Sequence, residues 1–192
     1  MQQTRATLLM RLKAGDAARE VAWSEFCALY EPVIAGFARR CGLPQHQLPD
    51  LVQHVLTGFF AAQPTFQYDP AAGRFRGYLK ACVVNEVRRL RQRHAAAQER
   101  EQEHAAMQPT DDEQWDREWE RQQLTLALER LRRQYEDNTT YRAFHAVVVL
   151  EQAPDAVAKE LGISRDSVYQ ARTRLLARLR DELTHVAAQM GD

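Results

Sequence analysis

The chain has 192 residues, with 26 basic and 26 acidic side chains, so its formal net charge is zero. A hydrophobic content of 45% is ordinary for a folded globular protein and excludes disorder of the whole chain. No stretch approaches the roughly 18 consecutive apolar residues that a membrane-spanning helix needs, so we expect no membrane partner.

The three cysteines, Cys27, Cys41 and Cys82, are odd in number and far apart, and none lies in a C-x-x-C pair. This pattern argues against a disulfide framework or a zinc site and suits a reducing compartment. The N-terminal segment has a short apolar run without a small-residue cleavage site after it, unlike a signal peptide. We therefore expect a cytoplasmic protein.

The neutral total hides two blocks of opposite charge. Residues 64–93 contain seven Lys or Arg and two acids, a net charge of +5, whereas residues 94–120 contain two Arg and nine acids, a net charge of −7. Blocks of opposite sign indicate that the segments have different roles. The basic block is of the kind that binds a phosphate backbone.

In the first half of the chain, apolar residues recur at spacings of three and four, which predicts helices. We predict helices over about 4–14, from Asp16 to about Cys41, from near Pro49 to Phe60, and from about Tyr78 to Arg93. Gly42 and Pro44 end the second of these helices. We predict a loop over residues 64–77, which are rich in Pro and Gly.

Residues 94–118 are acidic and contain almost no large apolar side chains, so we predict a linker that is mobile in the free protein. Ala, Glu and Gln favour helix, so parts of this segment can be helical. Beyond it we predict a helix with Leu124, Leu128, Leu131 and Tyr135, then helices over 140–151, 154–161 and 165 to about 185. The predicted fold is therefore all-α: two small helical domains, residues 1–93 and 119–192, joined by an acidic linker over 94–118.

The segment from Pro154 to Leu179 has the pattern of a helix-turn-helix. Pro154 suits a helix N-terminus, Gly162 supplies the turn, and Ser164 can cap a second helix that begins at Arg165. A short helix, a glycine turn and a second helix form the motif that places a helix in the DNA major groove.

The outer face of this second helix is polar and basic. Five Arg and one acid lie between Ser164 and Arg180. Arg and Gln can read base edges, while Ser, Thr and Tyr can hold phosphates. We predict contacts with duplex DNA from Arg165, Ser167, Tyr169, Gln170, Thr173, Arg174 and Arg178.

The segment from Pro49 to Arg93 resembles region two of the extracytoplasmic-function sigma factors, a family of bacterial transcription initiation factors. The family pattern is a D-x-V-Q-E-V-like helix, then F-R-G-aromatic-L, then a basic helix. The matching residues are Asp50, Val52, Gln53 and Val55; Phe75, Arg76, Gly77, Tyr78 and Leu79; and Asn85, Arg88, Arg89, Arg91 and Arg93. His54 stands where the family often has an acid, and Tyr78 where it usually has Trp. The second domain resembles region four of the same family.

This resemblance implies that the protein binds core RNA polymerase and directs promoter recognition and opening. The clamp coiled coil of the largest polymerase subunit would contact Asp50, Val52, Gln53, Leu56 and Thr57. The minus-ten element, opened to a single strand, would contact Arg74, Phe75, Arg76, Tyr78, Lys80, Asn85, Arg88 and Arg89. The helix-turn-helix would bind the duplex minus-thirty-five element, the linker would thread the polymerase channel, and an anti-sigma factor is a further candidate partner.

The chemistry of strand opening agrees with these roles. Aromatic side chains can stack on unpaired bases beside cations that hold the backbone, and Phe66, Tyr68, Phe75 and Tyr78 lie among basic residues. The aromatic side chains of Phe75 and Tyr78 can equally pack the loop on the core.

Three other classes of protein are alternatives, among them a helical interaction adapter, which would explain the acidic linker but not the clustered arginines. An enzyme is disfavoured, because the six His form no metal-binding motif and G-R-F-R-G lacks the context of a phosphate loop; we expect no cofactor, metal or catalytic residue. A helix-turn-helix repressor or activator, which binds operator DNA without being a polymerase subunit, remains the alternative.

Overall fold

The computed structural model describes residues 5–12, 16–62, 75–97, 110–135 and 138–191. Within these ranges the regular elements are helices and no strand is present, which confirms the predicted all-α fold. The helices are α1 (Arg5–Arg11), α2 (Asp16–Arg40), a 3-10 turn (Gln45–Gln47), α3 (Leu48–Ala62), α4 (Phe75–Ala97), α5 (Thr110–Tyr135), α6 (Thr139–Val148), α7 (Pro154–Leu161) and α8 (Arg165–Met190). No described helix is both long and apolar enough to span a membrane.

The chain divides into two compact units. The first comprises Met1–Gln122 together with Ala188–Asp192, and the second comprises Gln123–Ala187. Both α5 and α8 therefore contribute residues to each unit.

Aromatic residues of α2, α3 and α4 form the core of the first unit. Phe26 stacks on Phe59 with ring centroids 4.7 Å apart, and Tyr30 lies 5.2 Å from Phe75. All four side chains are almost completely buried. Offset and edge-on ring pairs of this kind stabilise a core beyond the burial of their area. This packing fixes α4 against α2 and α3.

The helix α2 ends just before Gly42, the residue that predicted its end. Gly42 adopts φ 84°, and the amides of Gly42 and Leu43 donate to the carbonyls of Arg39 and Ala38. This pair of bonds satisfies carbonyls that the helix end would otherwise leave open.

The beginning of α5 differs from the predicted linker over 94–118. Residues 98–109 lie outside the described residues, but α5 starts at Thr110, so the rest of the segment is helical. Trp115 and Trp119, one turn apart, are 2% and 0% exposed within the first unit. The burial of two large indoles outweighs the acidic composition on which the linker was predicted. Trp119 consequently belongs to the first unit rather than to the predicted second domain.

The second unit contains a compact helix-turn-helix. Ala143 of α6, Val157 of α7, and Val168 and Ala171 of α8 form its buried cluster, with Ile163 packed against it. Asn138 caps α6 by accepting a hydrogen bond from the Tyr141 amide. α6 ends at Val148, three residues before the predicted end, and α8 extends to Met190, beyond the predicted end near His185.

Candidate nucleic-acid interface

The turn between α7 and α8 has the predicted geometry. Gly162 adopts φ 64°, in the left-handed region, and the Ile163 amide donates to the carbonyl of Ala158. Oγ of Ser164 accepts a hydrogen bond of 3.0 Å from the Ser167 amide, so Ser164 caps α8 as predicted. The start of α8 is thereby held at a fixed angle to α7.

The outer face of α8 is open to solvent. Each of its predicted DNA contacts is exposed: Arg165, Ser167, Tyr169, Gln170, Thr173, Arg174 and Arg178. Nη2 of Arg165 donates to Oη of Tyr169 over 3.2 Å, and its guanidinium lies 5.5 Å from the ring centroid. Asp155 of α7 pairs with Arg165 at 3.2 Å. The start of this face is therefore ordered, and the face offers several hydrogen-bond donors side by side.

In α4, the predicted aromatic contacts are not equally available. Phe75 is 1% exposed and packs against rings of α2 and α3, which corresponds to the alternative in which its side chain packs on the core. It has the same four-residue spacing as Leu79, Val83 and Val87, which are also buried. Tyr78 is half-buried, and burial, followed by the effect of Cys82, raises the pKa of its phenol to about 12.

The polar residues of α4 that were predicted to contact DNA differ in their exposure. Asn85 and Arg88 are exposed, whereas Arg89 pairs with Glu86 in the same helix at 2.5 Å. The side chains of Arg76 and Lys80 are mostly buried, and they pair with Asp116 and Asp112 of α5.

Arg91, which matches the basic helix of the family pattern, has a partner within the protein. Its guanidinium donates to the carbonyl of Cys41 just beyond α2. Arg74, Phe66 and Tyr68 lie outside the described residues.

The exposed face of α3 carries most of the predicted polymerase contacts. Asp50, Gln53 and Thr57 are exposed, at helical positions i, i+3 and i+7, and Val52 is half-buried. Leu56 is 5% exposed and belongs to the core, so it is not available to a partner in this conformation. The face that remains is polar, with an acid in the first turn of the helix.

Comparisons with known proteins bear on the first unit. The family model for sigma-70 region 2 matches residues 27–97, which include α3, α4 and most of α2. No curated protein sequence matches the chain. The solved structure of CnrH in complex with the cytosolic domain of CnrY aligns with 95% of this chain and 98% of its own, at 19% identity and a TM-score of 0.40.

The family match covers the residues on which the resemblance to region two was based. The exposed face of α3, the buried Phe75 and the basic face of α4 all lie within it. The predicted resemblance is therefore confirmed at this domain, because residues 27–97 match the family model for sigma-70 region 2.

Proposed function

We propose that the chain is a transcription initiation factor of the extracytoplasmic-function sigma type, acting in the cytoplasm. It binds core RNA polymerase through the exposed face of α3, contacts the minus-ten element through α4 and the residues before it, and binds the minus-thirty-five element through α8. The observation that carries the proposal is the region 2 match over residues 27–97 in a chain that also contains a capped helix-turn-helix.

The chemistry of α8 supports its part in this function. A helix whose first turns present Arg, Gln, Ser and Thr can donate to base edges and phosphates in the major groove. The apolar side of the same helix is buried, so the polar side is the one left for DNA. The helix is thus suited to duplex DNA.

Transcription in vitro with bacterial core RNA polymerase tests the proposal. We expect the protein to direct initiation from a subset of genomic DNA fragments, with mapped start sites that share sequence elements near minus ten and minus thirty-five. Core polymerase alone is the control. A protein that binds duplex operators as a symmetric dimer, and neither binds core polymerase nor directs initiation, would instead be the helix-turn-helix regulator.

A further inference from the structure

The first part of α5, residues 112–122, lies against the basic surface of the first unit; we call it the acidic arm. Asp112 pairs with Lys80, and Oδ1 of Asp116 lies 2.5 Å from Nη2 of Arg76. A third carboxylate, Glu118, pairs with Arg40 of α2. The arm therefore places carboxylates on cations of two other helices.

Two indoles anchor the acidic arm. Trp115 meets Phe37 edge-on with centroids 5.1 Å apart, and Trp119 lies 5.8 Å from Tyr30. The guanidinium of Arg76 lies 5.3 Å from the Trp119 ring. The arm is thus held by the burial of apolar side chains as well as by charge. The buried indoles keep its carboxylates opposite their cations.

Glu118 marks how closely the arm approaches α2. Its side chain is 5% exposed and faces Gly36. A methyl carbon built on Gly36 would lie 2.8 Å from Cδ of Glu118, and closer still to Oε2. A side chain at position 36 would therefore force the Glu118 carboxylate to move. A buried carboxylate is tolerated when a cation pairs with it, as Arg40 does.

The cations under the arm are ones assigned above to the minus-ten element. The side chains of Arg76 and Lys80 are only 16% and 18% exposed, whereas Arg88 of the same helix is exposed. A carboxylate and a phosphate use the same donors of Arg and Lys. The arm and a DNA strand therefore compete for these two side chains.

We propose that the acidic arm is an intramolecular cover of the single-strand-binding surface, and that it must leave Arg76 and Lys80 before these cations reach DNA. The inference rests on the proposed function, since that function assigns the two cations to promoter DNA. The free chain then binds single-stranded DNA weakly, and displacement of the arm makes the surface available.

The test compares two double variants of the full chain with equal change in charge. Asp112→Asn with Asp116→Asn removes both ion pairs to α4. Glu113→Gln with Glu120→Gln is the control, because both residues are exposed and Glu113 pairs with Arg117 within α5. The probe is a fluorescently labelled single-stranded DNA of random sequence, and affinity is measured by anisotropy at several salt concentrations.

We expect the first variant to bind about tenfold more tightly than the wild type, and its salt dependence to steepen by about 1.4, as for two added contacts with single-strand phosphates. The control variant changes only the long-range electrostatic potential of the protein, so its affinity for single-stranded DNA should rise by at most about twofold. Equal affinities and salt slopes for the two double variants would overturn the proposal that the arm covers the surface. The proposal would also be overturned if neither the wild type nor the variants bound the single strand.

Two further measurements keep the inference testable if the first variant does not fold. Gly36→Ala changes no charge but displaces Glu118, so it should also tighten binding of the single strand. In the wild type, the amides of residues 113–122 should lose protection from hydrogen exchange when the strand binds. Unchanged protection in a saturated complex would refute the displacement.

The measurements of single-strand binding and of hydrogen exchange do not require polymerase. If the wild type directs no initiation, the proposed function is refuted. If the two double variants bind the single strand equally well, only the proposal that the arm covers the surface is refuted.

Discussion

Glu86 joins two helices of the first unit through two basic neighbours. Its carboxylate lies 3.0 Å from Nδ1 of His54 on α3 and 2.5 Å from Nη2 of Arg89 on α4. Burial by itself raises the pKa of Glu86, but Arg89 and His54 outweigh it, so the pKa is lowered from 4.5. His54, which departs from the family pattern, therefore has a partner inside the protein.

The lowered pKa of Glu86 gives a pH-dependent contribution to stability. A carboxylate with a depressed pKa stabilises the fold fully above its ordinary value, and this contribution is lost as the pH falls from 4.5 through the folded-state value. Glu86→Gln should lower the free energy of unfolding by about 1 kcal/mol at neutral pH, and much less at about pH 3. Urea unfolding at both pH values measures this, with the exposed Glu113→Gln as control. Equal losses at the two pH values would contradict the ionic role.

The sequence could predict the burial of some side chains but not the ion pairs of others. The exposed residues on the outer face of α8 follow from helical spacing, because the buried Val168, Ala171 and Leu175 define the opposite side. Of the two possibilities that the sequence left open for Phe75, its four-residue spacing to the buried Leu79 favours the core. The pairing of Lys80 with Asp112 could not, since it depends on contacts between residues 32 positions apart.

At the level of helices, the turn before α8 was predictable because its signals are local. Pro154, Gly162 and Ser164 each specify a backbone conformation or cap at their own position, and α7 has the predicted bounds. The start of α5 was not predictable from composition. Trp115 and Trp119 are the large apolar residues at the start of α5, and their burial depends on rings of α2 that are distant in the sequence.

The position of each arginine along α8 predicts a different role in DNA binding. Arg174 lies on the exposed side of the helix, opposite the buried core residues, while Arg178 lies one turn further from the N-terminus and 4.0 Å from Asp181. Arg174→Ala should cost about 1–3 kcal/mol and relax preference at one or two positions of the minus-thirty-five element. Arg178→Ala should weaken binding to all sequences and reduce the salt dependence by about one charge.

Affinities for an optimal and a scrambled minus-thirty-five site at two salt concentrations separate these roles. Equal losses on both sites for Arg174→Ala would make it a phosphate contact. No loss for either variant would mean that α8 does not enter the groove.

For the molecule as a whole, the zero net charge conceals surfaces of opposite sign, and the structure partly pairs them. The basic block of +5 includes α4, and the acidic block of −7 includes the arm that rests on it. The exposed residues of α3, Asp50, Gln53 and Thr57, are not among the residues of these ion pairs. The polymerase contact proposed for α3 therefore uses other side chains than the arm does.

The polymerase contact is therefore tested at α3. Asp50→Ala with Gln53→Ala should weaken assembly with core polymerase about tenfold or more, since exposed polar residues that pair across an interface dominate its specificity. Asp50 also lies in the first turn of α3, so its removal costs up to about 1 kcal/mol of helix stability, too little to unfold the domain. Glu20→Ala with Gln92→Ala, an acid and an amide exposed elsewhere in the first unit, is the matched control. Titration of labelled protein with core polymerase gives the affinities, and thermal unfolding verifies the fold. Wild-type affinity in a folded Asp50→Ala, Gln53→Ala protein would show that another surface binds the polymerase.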